Sequence, residues 1–281
     1  MEEIVRIEGY GFRYNESKKW AVKDFDMGVM PGEIVVLAGP SGCGKSTLLR
    51  SINGLIPHMY SGEMQGQVTV EGQRVADTAM STLAQRVGLL FQDPENQIFM
   101  FSVERDIAFG LENLGMPREV IREKVDDAMR LLDITELATR APHELSDGQK
   151  QRVALAGVVA MSPKLVILDE PTSLLDPKTA LELVGLVVKL RREIQTTFLI
   201  VEHRLDLLVR VANRIVVMSE GKKVLDGPPK DVLFGEDAEG YGVSVPAVTK
   251  VQKLLAKEGL VPLDRLLSAK ELAEVLERTS T

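Results

Sequence analysis

The chain has 281 residues and a net charge of −7, with 44% hydrophobic, 27% charged and 5% aromatic residues. That composition suits a core-forming protein of one large or two small domains and excludes a disordered chain. A single cysteine, Cys43, and three scattered histidines exclude an internal disulfide and a cysteine- or histidine-rich metal centre, and the acidic balance argues against a nucleic-acid binder.

The opening MEEIVRIEGY is acidic and mixed, unlike a signal peptide. IVRI and GFRY read as strands, and a Pro31-Gly32 turn leads into Ile34–Ala38. That short apolar run has the character of a strand buried on both faces. Gly39 to Thr47 follows, then a helical spacing over Leu48 to Asn53, and further strands at VTV (68–70) and RVGLLF (86–91). Residues 93–162 read as a helical insert. In it Pro117 suits the first position of a helix, and Val120, Ile121, Val125, Ala128, Met129 and Leu132 follow at helical spacing. Leu155 to Met161 reads as the buried end of another helix. LVIL (165–168), TFLIV (197–201) and RIVVM (214–218) return as short apolar strands. Strands alternating with helices predict an α/β fold whose parallel sheet is covered on both faces. Pro228-Pro229 marks a boundary between a domain over 1–227 and a 54-residue C-terminal extension over 228–281. The extension holds two amphipathic helices, one through Val248, Val251, Leu254 and Leu255, the other through Leu272, Val275 and Leu276. The longest apolar run, Val153 to Met161, falls far short of the roughly 18 residues of a spanning helix. The chain is therefore expected to be soluble and not to cross a membrane itself.

The strongest local signal is Gly39-Pro40-Ser41-Gly42-Cys43-Gly44-Lys45-Ser46-Thr47. It fits G-x-x-x-x-G-K-[ST] and sits after a buried strand and before a helix, where a phosphate-binding loop must sit. Glycines let the backbone wrap so that successive N–H groups point at phosphate oxygens, and the helix N-terminus adds partial positive charge. Lys45 would reach the β- and γ-phosphates, Ser46 would ligate Mg²⁺, and Thr47 would add a phosphate contact. Cys43 fills a free position of the loop. This motif alone leaves kinases, GTPases and motors open. LVILDE narrows the field, because Asp169 and Glu170 cannot both enter the core and so project from the carboxyl end of their strand. Asp169 would hold Mg²⁺ through water, and Glu170 would orient or activate the attacking water.

Leu145-Ser146-Asp147-Gly148-Gln149 lies with Ser146 23 residues before Asp169. Ser146-x-x-Gln149 alone is an ordinary capping box. Together with the other motifs and the helix that follows, it resembles the signature of ATP-binding cassette (ABC) ATPases, usually LSGGQ, and the resemblance runs from Val5 to Gly227. It implies a P-loop NTPase fold with a mostly parallel core sheet, an antiparallel β subdomain and a helical insert. It implies that Tyr14 stacks on adenine and that Gln92 senses Mg²⁺ and the attacking water. Asp176 then belongs to the loop that crosses the dimer interface, and His203 contacts the γ-phosphate. Ser146, Gly148 and Gln149 would face the ATP held by a second subunit, so ATP and Mg²⁺ would be bound at two composite sites. The departure is Asp147, where glycine is usual. It is expected to point away from phosphate and to cap or form an ion pair.

FQDPENQ, the trio Glu202-His203-Arg204 and GVSVPAVTKVQKLLAKEGL resemble the ATPase subunits of energy-coupling factor transporters and their cobalt/nickel relatives. That resemblance implies importers of vitamins or transition-metal ions, a place on the cytoplasmic face of the membrane, and three partners: a second ATPase subunit, an integral membrane coupling protein and a substrate-capture protein. Gln92, Asp93, Glu95, Asn96 and Gln97 would line the rim of a docking groove, where carboxylates suit an arginine-bearing coupling helix. The C-terminal helices would pack on their own core or make a dimer contact. The rival class is a soluble ABC ATPase with no transporter, for example one that assembles a metallocluster. DNA-repair ABC proteins lack support, since no long coiled coil splits the chain.

Overall fold

The structure, a computed structural model, describes residues 2–235, 237–261 and 263–279. Among these residues two sheets form. Strands β1 (Val5–Tyr14), β2 (Val22–Val29), β4 (Gly62–Val70) and β5 (Gln73–Arg74) make an antiparallel sheet ordered β2-β1-β4-β5. Strands β3 (Ile34–Ala38), β6 (Val87–Leu90), β7 (Leu165–Asp169), β8 (Thr197–Val201), β9 (Arg214–Ser219) and β10 (Lys222–Gly227) make the second, ordered β10-β9-β3-β8-β7-β6. All of its pairs are parallel except β9 with β10, which form a hairpin. The expected α/β architecture with a mostly parallel central sheet and an antiparallel subdomain is what the chain adopts.

Alternation along the central strands sorts their side chains into two cores, because successive residues of a strand face opposite sides. Ile34, Val36, Val166, Leu168, Phe198, Ile200, Ile215 and Val217 face one way, toward the helices Val103–Asn113, Arg118–Leu131, Asp147–Ala160 and Pro177–Ile194. Val35, Leu37, Leu165, Ile167, Leu199, Val201 and Val216 face the other, where the helix Lys45–Ile52 and the antiparallel sheet close over them. Both faces being covered, these strands read as unbroken apolar runs rather than alternating ones.

Local details differ from the sequence expectations for physical reasons. IVRI and GFRY fuse into the ten-residue β1, which absorbs an irregularity between Glu8 and Gly11 against β4. Pro117 is the N-cap rather than the first helical residue, with φ −59° and ψ 145°, and the helix begins at Arg118. In the C-terminal extension, Val232, Leu233, Phe234, Ala238, Val243 and Val245 enter the same core as the helical insert. The helix Ala247–Lys257 buries Thr249 and Gln252 and turns Val251 and Leu254 outward, at 44% and 65% exposure.

Candidate functional site

The parallel strands bring their carboxyl ends to one edge of the sheet, and the sequence-predicted residues gather there. Gly44, with φ 111°, is the N-cap of the helix Lys45–Ile52. A methyl group at Gly44 would sit 2.1 Å from the Ala21 carbonyl oxygen, so only glycine fits this approach. Gly42, with φ 77°, and Gly39, with φ 138°, are the other positive-φ residues of the loop. Lys45 is buried, and its Nζ donates to the carbonyls of Gly39 at 2.8 Å and Pro40 at 2.9 Å. The ammonium is thus held along the loop. Cys43 is buried, and that burial pushes its thiol pKa up, so it is a poor nucleophile here.

Asp169 ends β7, and Glu170 follows it with φ 48°, an uncommon left-handed conformation for a side-chain-bearing residue. Such a residue costs roughly 1–3 kcal/mol and persists where the surroundings over-determine it. Here Glu170 N–H donates to Val201 O at 2.9 Å, and Ser173 Oγ donates to Glu170 O at 2.9 Å. The Glu170 side chain is thereby aimed at two partners. Its Oε1 lies 3.0 Å from His203 Nε2, and its Oε2 accepts from Gln92 Nε2 at 3.0 Å. Burial and then the adjacent Glu170 charge push the Asp169 carboxyl up, while Arg50, the Ser46 hydroxyl and Lys45 pull it partly back.

Among the described residues no group of three or more His, Cys, Asp or Glu side chains is placed to hold a metal ion. The donor set available beside the phosphate loop is the Ser46 hydroxyl and the Asp169 carboxylate. That set fits Mg²⁺, which keeps much of its hydration and takes one or two protein oxygens plus substrate phosphates.

Tyr14 ends β1, its OH 3.2 Å from Thr47 Oγ1, and its ring meets Tyr60 edge-on at 6.4 Å between centroids. Ser146 caps the helix Asp147–Ala160: Gln149 N–H donates to Ser146 Oγ at 3.4 Å and Ser146 N–H donates to Gln149 Oε1 at 3.0 Å. Asp176 caps the helix Pro177–Ile194 by accepting from Lys178 N–H at 2.9 Å and Thr179 N–H at 3.2 Å. Ser146, Gly148, Gln149 and Asp176 line one cavity of about 540 Å³, and neither Lys45, Asp169, Glu170 nor His203 lines it. The residues of the loop Gly39–Thr47 and those around Ser146 and Asp176 thus stand at separate places on one chain.

The ABC transporter family pattern matches residues 22–173. The chain is 38% identical over 282 residues to the energy-coupling factor transporter ATP-binding protein EcfA2 of Caldanaerobacter subterraneus subsp. tengcongensis, covering 98% of this chain and 96% of that one. The chain belongs to the ABC transporter family. Its fold matches cbiO1 of Clostridium perfringens, part of the ABC transporter complex cbiONQ, with a TM-score of 0.77, 33% identity, and coverage of 90% of this chain and 100% of that one. It also matches a dimeric ATP-binding cassette in a post-hydrolysis state with ADP and Pi, with a TM-score of 0.69, 26% identity, and coverage of 80% and 98%.

In this ABC ATPase the residues expected to line the rim of a docking groove also bond to neighbouring parts of the chain. Asp93 caps the short turn Pro94–Asn96, accepting from Glu95 N–H at 3.0 Å and Asn96 Nδ2 at 3.1 Å. Glu95 pairs with Lys150 on the signature helix. Gln97 is a clamp on the end of β6, accepting from Phe91 N–H at 2.8 Å and donating to Leu89 O at 2.9 Å. These acids lie beside a turn and a lysine, and both satisfy their nearest donors. The surface beside these residues is apolar. Phe91, Phe99 and Phe101 are exposed, and a cavity of about 240 Å³ beside β6 is lined by Leu89, Phe99, Phe109, Val158 and Met161. Asp147 of the ABC signature stands in the first turn of its helix, 3.8 Å from Lys150 Nζ, where its charge favours the helix dipole.

Sequence reading missed Tyr60 and Arg50, which join Tyr14: the Arg50 guanidinium sits 5.0 Å from the Tyr60 ring centroid. No local motif marks them, because the register of β1 against β4, with Tyr14 opposite Gly62, is what brings Tyr60 close.

Proposed function

We propose that this chain is the ATP-hydrolysing subunit of an energy-coupling-factor-type importer, carrying vitamins or transition-metal ions through membrane partners. ABC ATPases dimerise, and the reading places two copies, or this chain and a related one, head to tail. Tyr14 then packs on adenine, and the loop Gly39–Thr47 wraps the phosphates with its N–H groups. Lys45 leaves the Gly39 and Pro40 carbonyls for the β- and γ-phosphates. Ser46, and Asp169 through water, would hold Mg²⁺ with Gln92 near it, and the ion would supply positive charge against the phosphates. Glu170 orients the attacking water and takes up its proton, His203 holds the γ-phosphate, and Ser146, Gly148 and Gln149 of the other subunit complete the cradle. For a phosphoryl transfer of this kind, positioning and charge stabilisation supply nearly all the catalysis.

The observation that carries the reading is the shared carboxylate. Glu170 meets His203 with one oxygen and Gln92 with the other. Gln92 opens the segment that borders the exposed phenylalanines, so a helix docking on those rings would act on the hydrolytic carboxylate through one side chain. Full-length similarity to EcfA2 and to cbiO1 supports an importer. Among the described residues no helix is long and apolar enough to cross a membrane, so the translocation path would belong to partners and this subunit would sit at the cytoplasmic face. The outward-facing Val251 and Leu254 of the C-terminal extension would serve as a dimer contact.

Purification from its native membranes tests the proposal. Recovery with an integral membrane protein, lost on Phe99→Ser/Phe101→Ser substitution, is the expected result. Recovery with soluble proteins alone would favour a soluble ABC ATPase of the metallocluster-assembly type.

A further inference from the structure

Glu202 is the last residue before His203, and it is 2% exposed. A buried carboxylate ordinarily needs a full set of donors. Glu202 has them, and they come from two different segments. Its Oε1 accepts from His203 N–H at 2.8 Å and Arg204 N–H at 3.1 Å. Its Oε2 accepts from Thr172 Oγ1 at 2.6 Å. Thr172 is itself 1% exposed and lies two residues after Glu170, in the turn where Ser173 N–H donates to Glu170 O at 3.2 Å and Leu175 N–H donates to Thr172 O at 3.1 Å. A second bridge runs alongside, with Arg204 Nη1 donating to Leu175 O at 3.3 Å.

We propose that Glu202 is a positioning residue for ATP hydrolysis: it ties the main chain carrying His203 to the turn that follows Glu170, and so sets the distance between the imidazole and the carboxylate. β7 and β8 are neighbouring parallel strands whose register runs to Asp169 opposite Val201, and one further main-chain bond, from Glu170 N–H to Val201 O at 2.9 Å, ends the ladder. Past Val201 the segment that carries His203 is tied to the turn after Glu170 by side chains, Thr172 to Glu202 and Arg204 to Leu175. Asp176 follows the same turn, so the strut also fixes the start of the segment read as crossing to the second subunit.

The inference rests on the assignment of Glu170 and His203 to the reacting phosphate. It is tested on the full-length chain at fixed protein concentration, by ATP turnover over a range of ATP. Thr172→Val keeps shape and removes only the donor. Its kcat is expected to fall tenfold or more, up to about the hundredfold that an ångström of misplacement costs, with KM for ATP within about twofold. Thr172→Ser restores the hydroxyl and is expected to restore kcat. Glu202→Asp keeps the charge but shortens the reach, and should behave like Thr172→Val. In a His203→Ala background, Thr172→Val should add no further loss. The strut is overturned if Thr172→Val and Glu202→Asp turn over within twofold of wild type, if the loss falls on KM, or if the same loss recurs in the His203→Ala background. If His203→Ala and Glu170→Gln themselves turn over normally, the assignment of those two residues fails, and the strut with it. Normal turnover of Thr172→Val beside an inactive Glu170→Gln removes the strut alone.

Discussion

His203 Nε2 lies 3.0 Å from Glu170 Oε1, although the two residues stand at the ends of different strands and 33 positions apart in the chain. The contact joins a candidate water-activating carboxylate to the group expected to hold the γ-phosphate, and Gln92 occupies the second oxygen of the same carboxylate. Glu170→Gln keeps the shape and removes the base. Turnover is expected to drop by about 10²-fold or more, the contribution of a positioned general base, while ATP binding persists. The variant should accumulate as an ATP-bound dimer, visible by size-exclusion chromatography with light scattering. A variant that stays monomeric with ATP and turns over normally would contradict the assignment.

Asp147 replaces the usual signature glycine, yet its carboxylate stands 69% exposed beside Lys150 in the first turn of its helix. A charge so placed is screened by water and by the lysine. Asp147→Gly should therefore leave steady-state turnover within a few-fold. A change on the order of a hundredfold, about 2.7 kcal/mol, would show that Asp147 acts on the phosphate directly.

Two glycines of the phosphate loop should respond differently to alanine. At Gly44 the added methyl meets the Ala21 backbone at 2.1 Å, and neither chain segment can move without breaking the entry to the helix. Gly44→Ala should abolish measurable ATP binding. At Gly42 the methyl meets nothing within 4 Å, leaving only the cost of φ 77°, roughly 1–2 kcal/mol. Gly42→Ala should bind ATP with a modest loss. Equilibrium binding of a fluorescent ATP analogue to both variants separates them, and equal affinities would refute the steric account.

Arg214 and Asp226 pin the β9–β10 hairpin to the antiparallel sheet. Arg214 Nη2 donates to Asp226 Oδ2 at 2.7 Å, and Nη1 donates to Gly28 O at 2.8 Å. Burial alone would raise the Asp226 carboxyl, but hydrogen bonds and charge from Arg214 and Lys223 outweigh it and hold the group below its ordinary 3.8. A depressed carboxylate stabilises the fold above its unfolded pKa and loses that contribution as pH falls through the folded one. Asp226→Asn should cost about 2 kcal/mol near neutral pH, and the deficit should shrink below pH 3.8. Thermal unfolding of both proteins across a pH series measures this. A deficit undiminished in acid would mean that packing, not the ion pair, is responsible.

The sequence by itself determined the parts whose physics is local. A phosphate loop is a contiguous run of backbone, so Gly39 to Thr47 was legible as residues. Buried parallel strands are unbroken apolar runs, so β3, β7, β8 and β9 stood out, and with them the carboxyl ends where Asp169, Glu170 and His203 emerge. The capping box at Ser146 and Gln149 was legible for the same reason, being closed within four residues. Only the tertiary structure decided the relations between distant segments. That Glu202 spans to Thr172, that Tyr60 meets Tyr14 edge-on, and that Glu95 pairs with Lys150 all depend on strand order and register, which no local pattern encodes. The same holds for the helix Ala247–Lys257, whose periodicity marked an apolar face but not its direction. Thr249 and Gln252 go inward and Val251 and Leu254 outward because other segments of the same chain cover one side of that helix and leave the other to solvent.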